Sequence, residues 1–183
     1  MQEKKPICIM MVGLPGVGKS TIIEDLTKDF PGMKVISTDE YIENYAKEKG
    51  KTYNEVYREL GDKPQKWMNA EIQKVIKNKG DFIWDQTNVF ASARSKKHQI
   101  LRQNHYESIV VVVELSDEEH KKRIDQRKNT TGKYISTKIV NDMKLNYSRP
   151  NANEGWDQII LIQDDGKLQI IYDRNKLTQK KDI

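Results

Sequence analysis

The sequence contains one cysteine, Cys8, and no apolar run that approaches the length of a membrane-spanning helix. A single cysteine excludes an intrachain disulfide, and its place inside an apolar stretch is typical of a small core residue. The apolar run from Ile7 to Val12 is far shorter than the roughly 20 residues that a bilayer span needs, and no signal-peptide pattern precedes it. We therefore expect a soluble, cytoplasmic protein that does not contact a membrane.

Metal-ligand spacing is also missing from the three histidines, so we expect His98, His105 and His120 to be ordinary surface or core residues. The formal net charge is +5, and residues 174–183 contribute +3 of it. The remaining chain is therefore only mildly basic. That balance is compatible with a polyanionic substrate and does not require one.

Residues 13–21 read GLPGVGKST and match the Walker A pattern G-x-x-x-x-G-K-[ST], with an apolar strand before and a helix after. Glycines let successive backbone N–H groups turn inward as an anion cradle, and the helix points its positive end at the phosphates. Lys19 reaches the β and γ phosphates of ATP, and Ser20 ligates Mg²⁺. The predicted ATP-binding residues of this loop are Gly13, Pro15, Gly16, Val17, Gly18, Lys19, Ser20 and Thr21.

Apolar strand-like runs alternate with polar helical stretches along the 183 residues, as in a parallel sheet covered by helices. We predict an α/β fold of the P-loop NTPase type, with a helical lid, in one domain over 1–173, followed by a basic, flexible tail over 174–183. The predicted strands are 7–12, 34–37, 81–84, 108–114, 158–162 and 168–172, the last two forming a hairpin. The predicted helices are 19–29, 40–60 with a break near Gly50, 65–79, 91–104, 116–127 and 135–147.

Two polar segments follow strands at the edge of the sheet where ligands bind. After the second strand, Asp39 is a candidate general base, although Asp39 and Glu40 also suit a helix start capped by Ser37. After the third strand, Asp85 is a candidate for binding Mg²⁺ or the substrate, while Thr87 and Asn88 are candidate substrate contacts. A plain Asx turn is the alternative for this second segment.

A basic helix follows the fourth strand. Arg123 and Arg127 lie four residues apart and share a helix face. Like charges at this spacing destabilise a helix by about a few tenths of a kcal/mol. An anion between them would relieve the repulsion. We predict that both bind the ATP phosphates as part of the lid, with Arg127 also catalytic. The alternative is a solvated basic face supported by Glu119.

These segments, in this order, resemble the polynucleotide kinase-like P-loop kinases, which include the kinase domain of bacteriophage polynucleotide kinase. The resemblance covers about residues 6–163 and includes Asp39 with Tyr41, the D-x-T-N-like run 85–88, the lid arginines and the run EGWD at 154–157. It implies that Asp39 takes the proton from an acceptor hydroxyl and that Arg127 contacts the donor phosphates.

One position departs from the phage pattern. Ile42 occupies the place of an arginine that in the phage enzyme holds the 3′ phosphate of the acceptor. Arg58, Arg94 and Arg149 are the candidates to replace it. No D-x-D-x-T phosphatase signature is present, so any end-healing activity would be that of a kinase alone.

We therefore expect an ATP- and Mg²⁺-dependent P-loop phosphotransferase whose acceptor is a 5′-hydroxyl end of DNA or RNA. A small molecule or a hydroxylated base in DNA is the alternative acceptor, which the Ile42 departure supports. An alternative of another class is a non-catalytic nucleotide- or nucleic-acid-binding module, as in the similar segment of heterogeneous nuclear ribonucleoprotein U. The joint presence of Lys19, Ser20, Asp39 and Arg127 argues against that module.

Overall fold

The computed structural model describes residues 4–131 and 136–179, with side chains for all of them except 127–131 and 177–179. Six strands form one sheet: β1 (Ile7–Val12), β2 (Lys34–Ser37), β3 (Phe82–Asp85), β4 (Glu107–Val113), β5 (Gln158–Ile162) and β6 (Leu168–Asp173). Their order across the sheet is β2-β3-β1-β4-β5-β6. Neighbouring strands are parallel except for the antiparallel hairpin of β5 and β6. The predicted strands and hairpin are confirmed to within one residue.

Helices connect and cover the strands: α1 (Lys19–Asp29), α2 (Thr38–Lys49), α3 (Tyr53–Leu60), α4 (Lys63–Lys77), α5 (Ala91–Gln103), α6 (Asp117–Thr131), α7 (Thr137–Leu145) and α8 (Arg174–Gln179). A 3₁₀ turn, Ala152–Glu154, precedes β5. Within the described ranges no helix combines the length and apolar content that a bilayer span requires. The α/β prediction with a parallel sheet between helices is confirmed.

Two details differ from the sequence prediction. The helix predicted over 40–60 starts earlier, at Thr38, while its predicted break near Gly50 is confirmed, because Gly50 ends α2 in the left-handed conformation. The predicted tail instead begins with α8, whose first residue, Arg174, donates to the Asp157 carboxylate. In the sequence a turn at Gly132 and Lys133 follows the basic helix, and these residues lie outside the described ranges.

The apolar core lies on both faces of the sheet because side chains alternate along each strand. Cys8, Met10 and Val12 of β1 face the cluster built with α4 and α5. Ile9 and Met11 face the cluster built with α1. Such continuous apolar strands, buried on both faces, are typical of parallel sheets. A third, smaller cluster joins α2 to α3 and stands beside the sheet's edge.

A buried ion pair fastens α5 to the segment before β5. Arg94 is fully buried, and its guanidinium donates to both Glu154 carboxylate oxygens at 2.8 and 2.6 Å and to the Asn88 carbonyl at 2.9 Å. Trp156, also fully buried, donates its indole N–H to Glu154 at 3.1 Å. The run EGWD is therefore a structural brace in this chain. Arg94 is committed to it and is not available to an acceptor.

Substituting Arg94→Met should lower the free energy of unfolding by about 3–5 kcal/mol, because Glu154 would lose its charge partner inside the protein. Urea unfolding of the wild type and the variant measures this loss. Lys28→Met is the control, since the Lys28–Asp25 pair is exposed and contributes little. Equal stabilities for the two variants would contradict the assigned role of Arg94.

Candidate active site

A cleft of about 1350 Å³ opens at the carboxyl ends of β1, β2 and β3. One wall is the phosphate loop, residues 13–18, with the start of α1. The opposite walls come from α2, α3 and α7 and from the segment after β3. Of the residues predicted to bind ligands, the cleft wall includes Pro15, Gly16, Gly18, Lys19, Ser20, Asp39, Asp85 and Thr87.

The phosphate loop is tied to the neighbouring strand end at its first residue. The Gly13 N–H donates to the Thr87 carbonyl at 2.9 Å. A side chain at Gly13 would place its Cβ 2.6 Å from the Val113 carbonyl oxygen, so only glycine fits between β1 and β4. This bond therefore joins the start of the phosphate loop to the segment after β3.

Side chains outside the turn hold several carbonyl oxygens of the loop. Lys19 Nζ donates to the Gly13 and Leu14 carbonyls at 2.9 and 3.0 Å. From α6, His120 Nε2 contacts the Pro15 carbonyl at 2.9 Å, and Arg123 Nη1 donates to the Val17 carbonyl at 3.1 Å. The left-handed φ angles of Gly16 and Gly18, 84° and 98°, let the backbone adopt this turn. Because the Pro15 and Val17 carbonyls are held from α6, the N–H groups of Gly16 and Gly18, which line the cleft, can face it, as a triphosphate site requires.

Asp39 lies in the first turn of α2, directly after β2. Its carboxylate accepts a hydrogen bond from the Tyr53 hydroxyl at 2.7 Å. Burial and the nearby Asp39 charge raise the pKa of Tyr53 well above its usual range, so Tyr53 stays a donor. Ser37 caps the helix by accepting from the Asp39 N–H at 3.2 Å, and the predicted capping partner Glu40 is exposed. Asp39 is therefore both a helix-start residue and a carboxylate at the cleft.

Ser20 and Asp85 are the predicted metal ligands, and both line the cleft. Asp85 ends β3 in register with Ser37 of β2, so it lies one strand away from Asp39. Among the described residues, no group of three or more His, Cys, Asp or Glu side chains is arranged to hold a metal ion. The Ser20 hydroxyl and the Asp85 carboxylate are oxygen donors, which suit Mg²⁺, an ion usually held by one or two protein oxygens together with substrate phosphates.

Asn88 is buried and binds protein groups instead of lining the cleft. It is 4% exposed, and its side-chain amide donates to the Met11 carbonyl at 2.7 Å. Its side-chain oxygen and that of Gln86 both accept from the ammonium of Lys97, which also lies over the Trp84 ring. These bonds correct the prediction that Asn88 contacts the substrate, because its side-chain nitrogen and oxygen already bind protein groups.

The remaining predicted residues fall into three groups. Val17 is buried in the core and acts through its carbonyl, while Thr21 is an exposed residue of α1. Arg123 binds Val17 and Glu119, so the predicted support from Glu119 is present. The side chain of Arg127 lies outside the described residues, and its role stays a prediction.

The position that departs from the phage pattern is buried. Ile42 is 2% exposed and packs with Val56 and Leu60 of α3. Of the candidate replacements, Arg149 is paired with Glu114, whereas Arg58 of α3 is exposed and lines the cleft. A basic residue therefore lines the cleft, but it lies on α3, whereas the family pattern has its arginine at the position of Ile42 on α2.

The sequence did not predict three contacts of the site: Tyr53 with Asp39, Lys97 with Asn88, and His120 with the phosphate loop. The spacing of Thr52 and Glu55 signals the start of α3, since Thr52 donates from its N–H and hydroxyl to Glu55. No local pattern, however, says that α3 folds back to place Tyr53 on Asp39. His120 carried one usable signal, because it lies three residues before Arg123 and therefore shares its helix face.

A protein-family model described as an AAA domain matches residues 8–150. The chain belongs to this AAA domain family. The domain is 30% identical over 156 residues to human (Homo sapiens) heterogeneous nuclear ribonucleoprotein U-like protein 2, a match that covers 82% of this chain and 21% of that protein. This AAA domain therefore spans about a fifth of the length of that curated relative.

Solved structures share the fold of the AAA domain at low sequence identity. A chain of the Pnkp1/Rnl/Hen1 RNA repair complex has a TM-score of 0.61 at 22% identity, covering 79% of this chain and 45% of that one. A gluconokinase from Sinorhizobium meliloti 1021 has a TM-score of 0.52 at 16% identity, covering 97% and 90%. These likenesses support a P-loop kinase fold in general. They do not distinguish the polynucleotide kinase-like family from other P-loop kinases.

The pH dependence of stability should carry a contribution from Lys97, because burial lowers its pKa to about 8. Between pH 8 and about 10, where a free lysine is still protonated, the unfolded chain binds a proton that the folded chain does not. The free energy of unfolding should therefore rise with pH in the wild type relative to Lys97→Met. Urea unfolding of both proteins at pH 7, 8.5 and 10 measures the difference.

Cys8 also titrates in this window, because burial raises the pKa of its thiol, and the Lys97 charge acts on the same thiol. The two proteins are therefore compared in a Cys8→Ala background, where the difference between them isolates Lys97. A difference that stays constant from pH 7 to 10 would contradict a lowered pKa for Lys97.

Proposed function

We propose that this chain is an ATP- and Mg²⁺-dependent phosphotransferase that moves the γ phosphate of ATP to a hydroxyl group. The observation that carries the proposal is the placement of Asp39, held by Tyr53, in the same cleft as Lys19 and Ser20 of the phosphate loop. A carboxylate opposite a phosphate cradle can accept the proton of an acceptor hydroxyl during transfer.

The donor side would act by charge and position. The loop amides and Lys19 would stabilise the transferred phosphoryl group, and in the described ranges Arg123 braces the loop from α6. Mg²⁺, held by Ser20 and Asp85, would neutralise charge on the phosphates when bound. Arg127 is proposed to contact the donor phosphates, as the resemblance implies.

The acceptor that we favour is a 5′-hydroxyl end of DNA or RNA. Arg58 supports it, because an exposed guanidinium on the cleft wall suits a phosphate group of the acceptor. Tyr57, with 58% of its surface exposed, stacks on Tyr53 with 5.9 Å between ring centres and offers a flat face to a base. Fold similarity to a chain of an RNA repair complex is consistent with this choice.

A small hydroxyl compound is the second candidate, because the acceptor wall is not basic overall. It carries Glu43, Glu55 and Glu59, while Lys51 is already paired with Glu59 at 2.7 Å. A long polyanion gains most of its affinity from clustered cations, which this wall has few of. A hydroxylated base in DNA would present one group to the same wall. The gluconokinase fold neighbour is consistent with a small acceptor.

A non-catalytic binding module is the remaining alternative. The curated relative is a ribonucleoprotein, and this chain matches only about a fifth of it. ATP binding without transfer to any acceptor would favour this reading.

Asp39→Asn should reduce phosphoryl transfer by about two to four orders of magnitude, because an amide cannot accept the proton. The melting temperature should stay close to that of the wild type, since asparagine still accepts from Tyr53 and suits a helix start. Initial rates with labelled ATP and thermal unfolding measure the two effects. Glu40→Gln, one residue further along the same helix turn, is the control and should keep full activity. Near-normal transfer by Asp39→Asn would reduce Asp39 to a helix-start residue.

The acceptor screen uses labelled ATP with 5′-hydroxyl oligonucleotides, nucleosides, sugars and DNA containing hydroxylated bases. If the acceptor is a nucleic-acid end, its KM should rise between low and physiological salt as counterions are displaced. Arg58→Gln should then raise that KM about tenfold or more while leaving the KM for ATP unchanged. Arg102→Gln, an exposed arginine on α5, is the control.

Transfer only to a free nucleoside or another small alcohol, with a KM that does not respond to salt, would reject the nucleic-acid acceptor. It would retain the kinase assignment and favour the second candidate.

A further inference from the structure

We infer that His120 is a positioning residue of the ATP site, which aims the Gly16 amide at the phosphates by holding the Pro15 carbonyl. The inference rests on the proposed ATP-dependent function and adds to it a residue outside the Walker A pattern. His120 Nε2 lies 2.9 Å from the Pro15 carbonyl oxygen, and the residue is 2% exposed.

The face of α6 that carries His120 packs closely against the loop. A Cβ placed on Gly16 would lie 3.2 Å from Ile124 Cγ1 and 4.0 Å from His120 Nε2. His120, Arg123 and Ile124 are spaced three and four residues apart, so one helix face supplies all the contacts. The helix therefore supports the loop along the stretch from Pro15 to Gly18.

The geometry of the peptide bond links the contact between His120 and the Pro15 carbonyl to the direction of the Gly16 N–H. In a trans peptide the C=O and the N–H of the next residue point in opposite directions. No peptide bond is cis in the described chain, so holding the Pro15 carbonyl on α6 turns the Gly16 N–H away from α6. Gly16 also lines the cleft, which is the side where a phosphate would bind.

Few other restraints act at this point of the loop. Proline has no N–H with which to anchor the preceding peptide. Gly16 has a φ of 84° and no side chain, so its own torsions are soft. Among the residues that the structure describes, the hydrogen bond from His120 is therefore the contact that fixes the plane of the peptide between Pro15 and Gly16.

The chemistry of the ring is consistent with a geometric role. A carbonyl oxygen can only accept a hydrogen bond, so Nε2 must carry the hydrogen. Burial lowers the pKa of His120, which keeps the ring neutral at pH 7 and higher. Lys144, Asp117 and Lys19 are the charged groups whose fields reach it. A neutral ring adds no charge to the phosphates and acts through the loop backbone.

The test compares His120→Leu, which removes the donor, with His120→Gln, whose side-chain N–H can take the place of Nε2–H. His98→Leu is the matched control, because His98 is also buried, at 6% exposure, but its ring packs on Trp156, 4.3 Å away between ring centres. Three quantities are measured in each full-length protein: the Kd for a fluorescent ATP analogue with Mg²⁺, the melting temperature, and hydrogen exchange at the amides of residues 16–20 without nucleotide.

His120→Leu should weaken nucleotide binding about tenfold or more, since an unsatisfied carbonyl no longer holds the peptide. Its loop amides should also exchange faster. His120→Gln should bind within about threefold of the wild type, a small part of what a lost hydrogen bond costs. His98→Leu should lower the melting temperature without changing either loop quantity.

Wild-type affinity and exchange in His120→Leu, with a melting temperature lowered as in His98→Leu, would overturn the inference and leave His120 a packing residue. If His120→Leu does not fold, His120→Asn replaces it, because the shorter amide does not reach Pro15 and should show the same losses. A wild type that does not bind the nucleotide would instead refute the proposed function, and unchanged exchange in His120→Leu would still refute the inference separately.

Discussion

The turn of the phosphate loop depends on donors that hold its carbonyl oxygens. A cradle of inward N–H groups requires outward C=O groups, and each buried carbonyl needs a partner. Within the motif, Lys19 donates to the carbonyls of Gly13 and Leu14. From α6, His120 and Arg123 donate to the carbonyls of Pro15 and Val17. The motif is therefore completed by a helix about a hundred residues away along the chain.

The cleft wall formed by α2 and α3 depends on the third, smaller apolar cluster. Ile42 and Ala46 of α2 pack against Val56 and Leu60 of α3, and this contact brings Tyr53 to Asp39. An apolar residue at position 42 therefore has a structural reason, since a charged side chain there would be buried in this cluster. The same packing leaves the polar face of α3, including Arg58, on the cleft wall. One face of this short helix packs in the apolar cluster, and the other lines the cleft.

The two sides of the cleft are coupled through the strand ends. Gly13 donates to Thr87, and Asn88 donates to Met11, so β1 and the segment after β3 share hydrogen bonds at the point where the site opens. Lys97 and Arg94 then hold Asn88 from α5. The Thr87 carbonyl and the Asn88 side chain therefore join the strand ends on which the cleft is built.

Local chemistry in the sequence was enough to predict the phosphate loop, the order of strands and helices, and the presence of Asp39 and Asp85 at strand ends. Apolar alternation, glycine placement and capping residues act over a few positions, so they can be read without the fold. Tertiary structure alone decided that Tyr53 binds Asp39, that Asn88 and Arg94 are structural, and that His120 holds the loop. These contacts join residues far apart in the chain, and side-chain pairing across such distances depends on how helices pack, which no local pattern specifies.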